Sequence, residues 1–229
     1  WPIGPPVAIN SIFIIDPLYT LPLLAGCLAF LYRPPASRTV AAGLLISSLY
    51  LGWTLVAQQI ITERVRPALA NAGMEQAALM VQPMPFNTVL WRATAVSAEQ
   101  RIEVVTGFLD ASGELVLERF PRQPELARLV AELPEARRLE WFTGGFLDYQ
   151  QNGTQITATD IRLGIPGAHP FTFILAETAE DGLQPLASDR LPRPALNRAA
   201  LPLLWDRMTG QVPVLCLATL SVPNQGSSC

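Results

Sequence analysis

One apolar run with a single acid in it constrains this chain more than any other feature. Residues 12–32, IFIIDPLYTLPLLAGCLAFLY, contain one carboxylate, Asp16, and no basic side chain. At 1.5 Å per residue a helix over this run extends about 31 Å, enough for a hydrocarbon core of about 30 Å. A carboxylate in or beside hydrocarbon costs several kcal/mol unless it is paired, protonated, metal-bound or able to reach the headgroups, so Asp16 asks for a partner. The Asp16-Pro17 pair also marks a helix start: the carboxylate caps free N–H groups, Pro17 sits where no N–H is needed, and Pro22 bends the following turn. Capping and a reactive role for Asp16 are compatible.

A second uncharged run, VAAGLLISSLYLGWTLVAQQII at 40–61, follows the short hinge RPPASR at 33–38. The two runs predict a two-helix transmembrane hairpin. Ala42, Gly43, Ser47 and Ser48 allow close helix approach, and Thr54, Gln58 and Gln59 are more polar than a lipid-facing surface requires. Glu63, Arg64 and Arg66 mark the exit from hydrocarbon. Arg33 and Arg38 on one side compete with Arg64 and Arg66 on the other, so the positive-inside rule leaves the orientation open.

Beyond residue 66 the chain changes character. Residues 67–85 read as a connecting segment, helical at first and interrupted at Gly73, with the prolines of QPMPFN ending helical character. Residues 86–221 read as a β-rich domain and 222–229 as a flexible tail. The fold class is thus mixed: a membrane region over 1–66, then a mainly antiparallel β-rich α+β domain with short helices. Val89, Trp91, Ala93 and Ala95 alternate with Leu90, Arg92, Thr94 and Val96, as in a strand with two partly covered faces. Residues 101–109 and 114–120 add two strands around a turn at Asp110-Ala111-Ser112-Gly113. Short helices are predicted over 124–133 and 137–142. Asn152-Gly153 predicts a hairpin between 146–151 and 154–163, and 171–177 gives a sixth strand. Leu203, Leu204, Trp205 and Met208 suggest a last short helix, and 212–220 is a final strand or a packed tail.

The net charge of −3 and sixteen dispersed basic residues give no basic stripe, so no nucleic-acid partner is expected. Cys27, Cys216 and Cys229 form no zinc-type pair; a Cys216–Cys229 bridge requires an oxidising compartment. The start, WPIGPPVAIN, has no Met, basic n-region or cleavage site, which predicts a processed or cut product.

The only histidine, His169, reads as a residue of a surface turn, and no HExxH, phosphate-loop or GxSxG pattern is present. Arg92 reads as a side chain on the solvated face of a strand, able to meet an anionic lipid or an acid. Asp160 and Arg162 read as a surface ion pair. The tryptophans have no basic groove in which to stack bases and read as apolar packing. Asp16 is the candidate catalytic and metal-ligating residue; Asn87, Arg92, Asp160 and Arg162 are candidate polar support.

Several ordered segments carry a resemblance: SIFIIDPLYTLPLL at 11–24, PMPFNTVLWR at 83–92, TDIRLGIPG at 159–167 followed by PFTFILAE, and LPRP at 191–194. Together they resemble the bacterial membrane-bound metal-dependent hydrolases, a family of uncharacterised inner-membrane proteins. The resemblance implies an inner-membrane protein with a divalent metal whose main ligands lie in N-terminal HRGxTHS-like and HxxLD-like segments that this sequence lacks. Asp16 is the one residue it carries over to such a site. It further implies a cut fragment with the β-rich domain on an undetermined side of the membrane. The partners it implies are the bilayer, a substrate at its interface, and preceding membrane helices or another chain. The expected reaction is metal-activated attack of water on an ester or phosphoester. A nonenzymatic membrane scaffold or interaction protein is the alternative.

Overall fold

A computed structural model describes residues 4, 6–32, 37–110, 115–180, 182–194, 200–212, 214–223 and 229. The first helix, α1, spans Pro17–Tyr32. Its 16 residues reach about 24 Å, short of a hydrocarbon core of about 30 Å. Residues 12–15 are not helical, because the helix waits for the Asp16-Pro17 start. The second helix, α2, runs unbroken over Ser37–Asn71. It is the one helix among the described residues long and apolar enough to cross a membrane, judged by length and composition. The expected two-span hairpin is therefore corrected to one long apolar helix, with a shorter apolar helix packed on it. Most of the RPPASR hinge, at 33–36, falls outside the described residues.

The helices approach through glycine. A Cβ on Gly26 would lie 3.1 Å from both the Thr39 carbonyl oxygen and the Val40 Cα, and one on Gly43 would collide with the Pro22 carbonyl. Ser47 Oγ donates to the Tyr19 carbonyl at 2.7 Å across the same seam. Small residues and a hydroxyl thus let two backbones meet where larger side chains would hold them apart.

Past this pair, α2 turns a different face to the rest of the molecule. Ala57, Ile61, Val65 and Leu69 recur every four residues and are all buried, the spacing of one helix stripe. They pack on a four-stranded antiparallel meander of β1 (Ala78–Pro83), β2 (Leu90–Val96), β3 (Gln100–Gly107) and β4 (Leu117–Pro121). Val81, Trp91, Ala93, Ile102 and Val104 complete that core. The expected 101–109 and 114–120 strands correspond to β3 and β4; the turn positions 111–113 lie outside the described residues.

Two short helices follow, α3 (Pro124–Val130) and α4 (Pro134–Thr143), each with proline in its first turn. A second antiparallel meander then forms from β5 (Leu147–Asn152), β6 (Gln155–Asp160), β7 (Thr172–Ala179) and β8 (Gly182–Pro185). Leu126, Val130 and Ala136 cover its Leu147, Tyr149, Ile156, Ala158 and Leu175. The hairpin is displaced by one residue from its expected position: Asn152 pairs with Gln155, and Gly153 (φ +62°) and Thr154 make the turn. Strands β1 and β8 are additional to the six read from sequence.

The last helix, α5, spans Ala200–Met208. After it the chain returns to the first sheet, where Glu118 accepts hydrogen bonds from the backbone N–H groups of Leu217 and Ala218. A Cys216–Cys229 disulfide joins this segment to the C-terminal residue. Over 212–220, where a final strand or a packed tail is expected, the described residues form only an isolated bridge between Cys216 and Ser221.

Candidate functional site

Asp16 sits where α1, α2 and the first sheet's connecting loop meet. It is 2% exposed. Oδ1 accepts the Leu18 backbone N–H at 2.9 Å, the capping bond anticipated for an Asp-Pro helix start. Oδ2 accepts the Tyr50 hydroxyl at 2.8 Å, and that hydroxyl lies 3.1 Å from Thr88 Oγ1. Thr54, one turn along α2 from Tyr50, donates to Ser11 Oγ at 3.1 Å. Gln58, a further turn on, donates to the carbonyls of Ile9 and Val81 at 2.7 and 2.8 Å. Tyr50, Thr54 and Gln58 thus form a polar stripe at i, i+4 spacing that ties the N-terminal arm to the first sheet.

No salt bridge reaches Asp16 among the described residues, and none of them form a group of three His, Cys, Asp or Glu able to hold a metal ion. The donors around Asp16 are neutral hydroxyls. A divalent ion takes three or more protein ligands in zinc sites and six to eight oxygens in calcium sites. The described residues do not complete such a centre, and Asp16 supplies one ligand at most among them.

Asn87 shapes the loop beside Thr88. Its Oδ1 accepts the Val89 and Leu90 N–H groups at 2.9 and 2.8 Å, and its Nδ2 donates to the Pro85 carbonyl at 2.9 Å. It orients the backbone that carries Thr88 toward Tyr50.

Arg92 is placed differently from the solvated strand face expected. It is 1% exposed. Nε and Nη2 grip the two oxygens of Glu103 at 2.7 Å each, and Thr94 Oγ1 donates to Glu103 Oε2 at 2.7 Å. The remaining guanidinium bonds go to the Ile161 and Gly164 carbonyls beyond β6, so Arg92 joins the two sheets. The cluster extends through Arg101, 3.4 Å from Glu103 and 3.3 Å from Asp148, to Arg122, 3.2 Å from Asp148. Arg101 Nε faces Asp148 off the hydrogen-bond direction and is a buried donor without an acceptor among the described residues. Burial pushes the Asp148 carboxyl above its usual range, with Arg101 and Arg122 opposing. Burial likewise pulls Arg101 down, opposed by Asp148 and Glu103.

His169 belongs to this network and not to a surface turn. It is 8% exposed, with Nδ1 2.8 Å from the Leu163 carbonyl and Nε2 3.3 Å from Arg101 Nη1. An arginine only donates, so Nε2 accepts and the proton sits on Nδ1, a tautomer assigned from its neighbours. Burial first, and then the nearby Arg92 and Arg101, lower its pKa to about 4.

Asp160 and Arg162 do pair, but at a joint between elements. Arg162 Nη2 meets Asp160 Oδ2 at 2.7 Å, Nη1 donates to the Phe142 carbonyl at the end of α4, and the guanidinium lies 4.6 Å from the Phe142 ring centroid. Gln82 of β1 donates to the Arg162 carbonyl at 2.8 Å. Asp160 is 4% exposed. The structure therefore separates the residues singled out in sequence into two groups: Asp16 and Asn87 near the helix mouth, and Arg92, Asp160 and Arg162 along the junction of the two sheets.

Tyr50, Thr88, Glu103 and Asp148 were not singled out. Tyr50 reads as one more aromatic of an apolar run, and Glu103 lies on a strand whose partner choice only the sheet register reveals. Comparison with protein-family models, curated proteins and solved structures gives no match for this chain.

Proposed function

We propose that this chain is the anchoring and interfacial part of a membrane-bound metal-dependent hydrolase acting on an ester or phosphoester at the membrane surface. The observation that supports this most is the state of Asp16: a carboxylate 2% exposed, with one amide and one phenol as donors and no cationic side chain among the described residues. Burying a charge this way is costly without a counter-charge. A divalent ion held mainly by ligands outside the described residues would supply it. The family-like segments at 11–24, 83–92 and 159–167 support the same reading, since Tyr50 links the first to the second and Arg92 links the second to the third.

Leu44, Leu45 and Leu49 of α2 are exposed, which fits a bilayer around this one long apolar helix. The Cys216–Cys229 disulfide favours an oxidising compartment for the strands. With Arg38 at the opposite end of α2, the proposed arrangement has that end in the cytoplasm of a bacterial inner membrane and the sheets outside.

A nonenzymatic membrane scaffold is the second reading, favoured by the capping bond from Leu18 N–H to Asp16. The protein produced from its complete reading frame in membranes separates the two. Hydrolysis of short ester and phosphoester probes is predicted to vanish on chelation and return with divalent metal. Asp16→Asn, which keeps an oxygen for the Leu18 N–H, is predicted to lower the rate roughly 10- to 100-fold. Hydrolysis indifferent to rigorous metal removal, or no hydrolysis by metal-loaded protein, would reject the enzyme reading.

A further inference from the structure

Between the last turns of α2, strands β3 and β4, and the segment that follows α5 lies an open groove of about 1010 Å³. Val105, Leu117 and Leu215 give it an apolar lining. Its acidic groups are committed to other partners. Asp110 takes both terminal nitrogens of Arg207, and Glu118 takes the N–H groups of Leu217 and Ala218. Burial alone would raise the Asp110 carboxyl, but Arg207, the Gly107 N–H and the Thr106 hydroxyl together hold it below its usual range, so this wall is an internally neutralised ion pair.

Two further cations on the same groove lack an ion-pair partner among the described residues. Arg64 is exposed and reaches the Gly107 carbonyl at 2.6 Å and Thr106 Oγ1 at 3.4 Å. Arg119 is exposed and reaches Gln100 Oε1 at 3.3 Å. Neither has a carboxylate partner among the described residues. An apolar trough edged by two unpaired guanidinium groups complements a molecule with an anionic head and a hydrocarbon tail.

The path to the groove has the same character. Val56 and Ile60 are 53% and 41% exposed, and Arg64 follows them at the same four-residue spacing on one face of α2. Trp53 contacts Phe108 at 5.6 Å between ring centroids, the Arg64 guanidinium lies 6.0 Å from the same Phe108 ring, and Leu109 beside it lines the groove and is 60% exposed. An apolar strip on the membrane-type helix therefore leads directly to the first unpaired cation.

We propose that this groove binds an anionic phospholipid, its phosphate at Arg64, one acyl chain along the apolar lining, and Arg119 raising the positive potential further in. The inference rests on the membrane part of the proposed function and on none of its chemistry.

The full chain in neutral detergent, incubated with equal amounts of phosphatidylglycerol and phosphatidylcholine of the same chain length, is read by native mass spectrometry. The phosphatidylglycerol adduct is predicted to exceed the phosphatidylcholine adduct roughly ten-fold or more, equivalent to about 1.4 kcal/mol. The double variant Arg64→Gln/Arg119→Gln, whose sites are exposed, is predicted to unfold at an unchanged temperature and to bind the two lipids equally. Equal adducts on the unsubstituted protein, or a preference that survives the double substitution, overturns the proposal. Displacement of the anionic lipid by millimolar inorganic phosphate overturns the lipid assignment in favour of a simple anion site. Hydrolytic activity, present or absent, enters none of these readings, so failure here and failure of the hydrolase reading are separable.

Discussion

Arg92→Met tests whether the junction of the two sheets depends on a buried ion pair. The substitution removes two bonds of 2.7 Å to Glu103 and the bonds to the Ile161 and Gly164 carbonyls. Glu103, whose side chain is 0% exposed, then keeps only Thr94 Oγ1 at 2.7 Å and Arg101 at 3.4 Å. Breaking a buried pair from one side costs about 3–5 kcal/mol, and these residual partners hold the expected loss near 3 kcal/mol. Glu103→Leu alone strands Arg92 and is expected to cost about as much. The double variant leaves neither of these two charges uncompensated. Its cost falls to the lost carbonyl bonds, about 1–2 kcal/mol, so the two substitutions couple by several kcal/mol. Urea unfolding in detergent, followed through the fluorescence of fully buried Trp91, measures all three. Single variants that each lose under about 1 kcal/mol, as an exposed pair would, or losses that simply add, would refute the reasoning.

His169 predicts a pH dependence. Its pKa is lowered from 6.5 to about 4 in the folded protein, so the unfolded chain binds its proton more tightly. Stability is unaffected by this group above about pH 6.5 and falls as pH drops toward 4, by about 3 kcal/mol when complete; the difference between unsubstituted protein and His169→Gln across that range isolates it, and parallel curves would contradict it. Gly43→Leu is expected to force α1 off α2 at the Pro22 carbonyl, costing about 1–3 kcal/mol, and unchanged thermal unfolding would show that the seam is loose. In intact cells whose outer membrane alone is permeable, Cys216 and Cys229 are expected to react with a membrane-impermeant maleimide only after impermeant reductant is added. Labelling that requires lysis of the inner membrane would reverse the proposed orientation.

Much of the fold was legible where a short-range rule operates. Asp16-Pro17 announces the start of α1, and alternation in Val89–Val96 announces β2. Hydropathy alone overextends the first span at residues 12–15, which are apolar enough for a membrane helix but precede its cap. Strand β1 was missed because Ala78, Leu79 and Met80 lack β-branched side chains and follow directly on a helical pattern. Burial of Arg92 was invisible for another reason. Its partner Glu103 lies eleven positions away, and only the β2–β3 register, with Arg92 opposite Val105 and Thr94 opposite Glu103, brings the two charges onto one face. His169 likewise sits in a glycine- and proline-flanked turn whose burial depends on Arg101 from the other sheet. Asp16 stood out because a lone acid in an apolar run is unusual by itself, whereas Tyr50 gave no comparable signal.

The central claim is that the Asp16 carboxylate is balanced by a bound cation. Elemental analysis of protein purified from its own membranes as the complete reading frame, beside Asp16→Asn prepared identically, addresses it most directly. A divalent metal near one equivalent per chain, lost or strongly depleted in the variant, is the predicted result. Metal-free protein with full membrane integrity, or a metal content that Asp16→Asn leaves unchanged, would contradict the account.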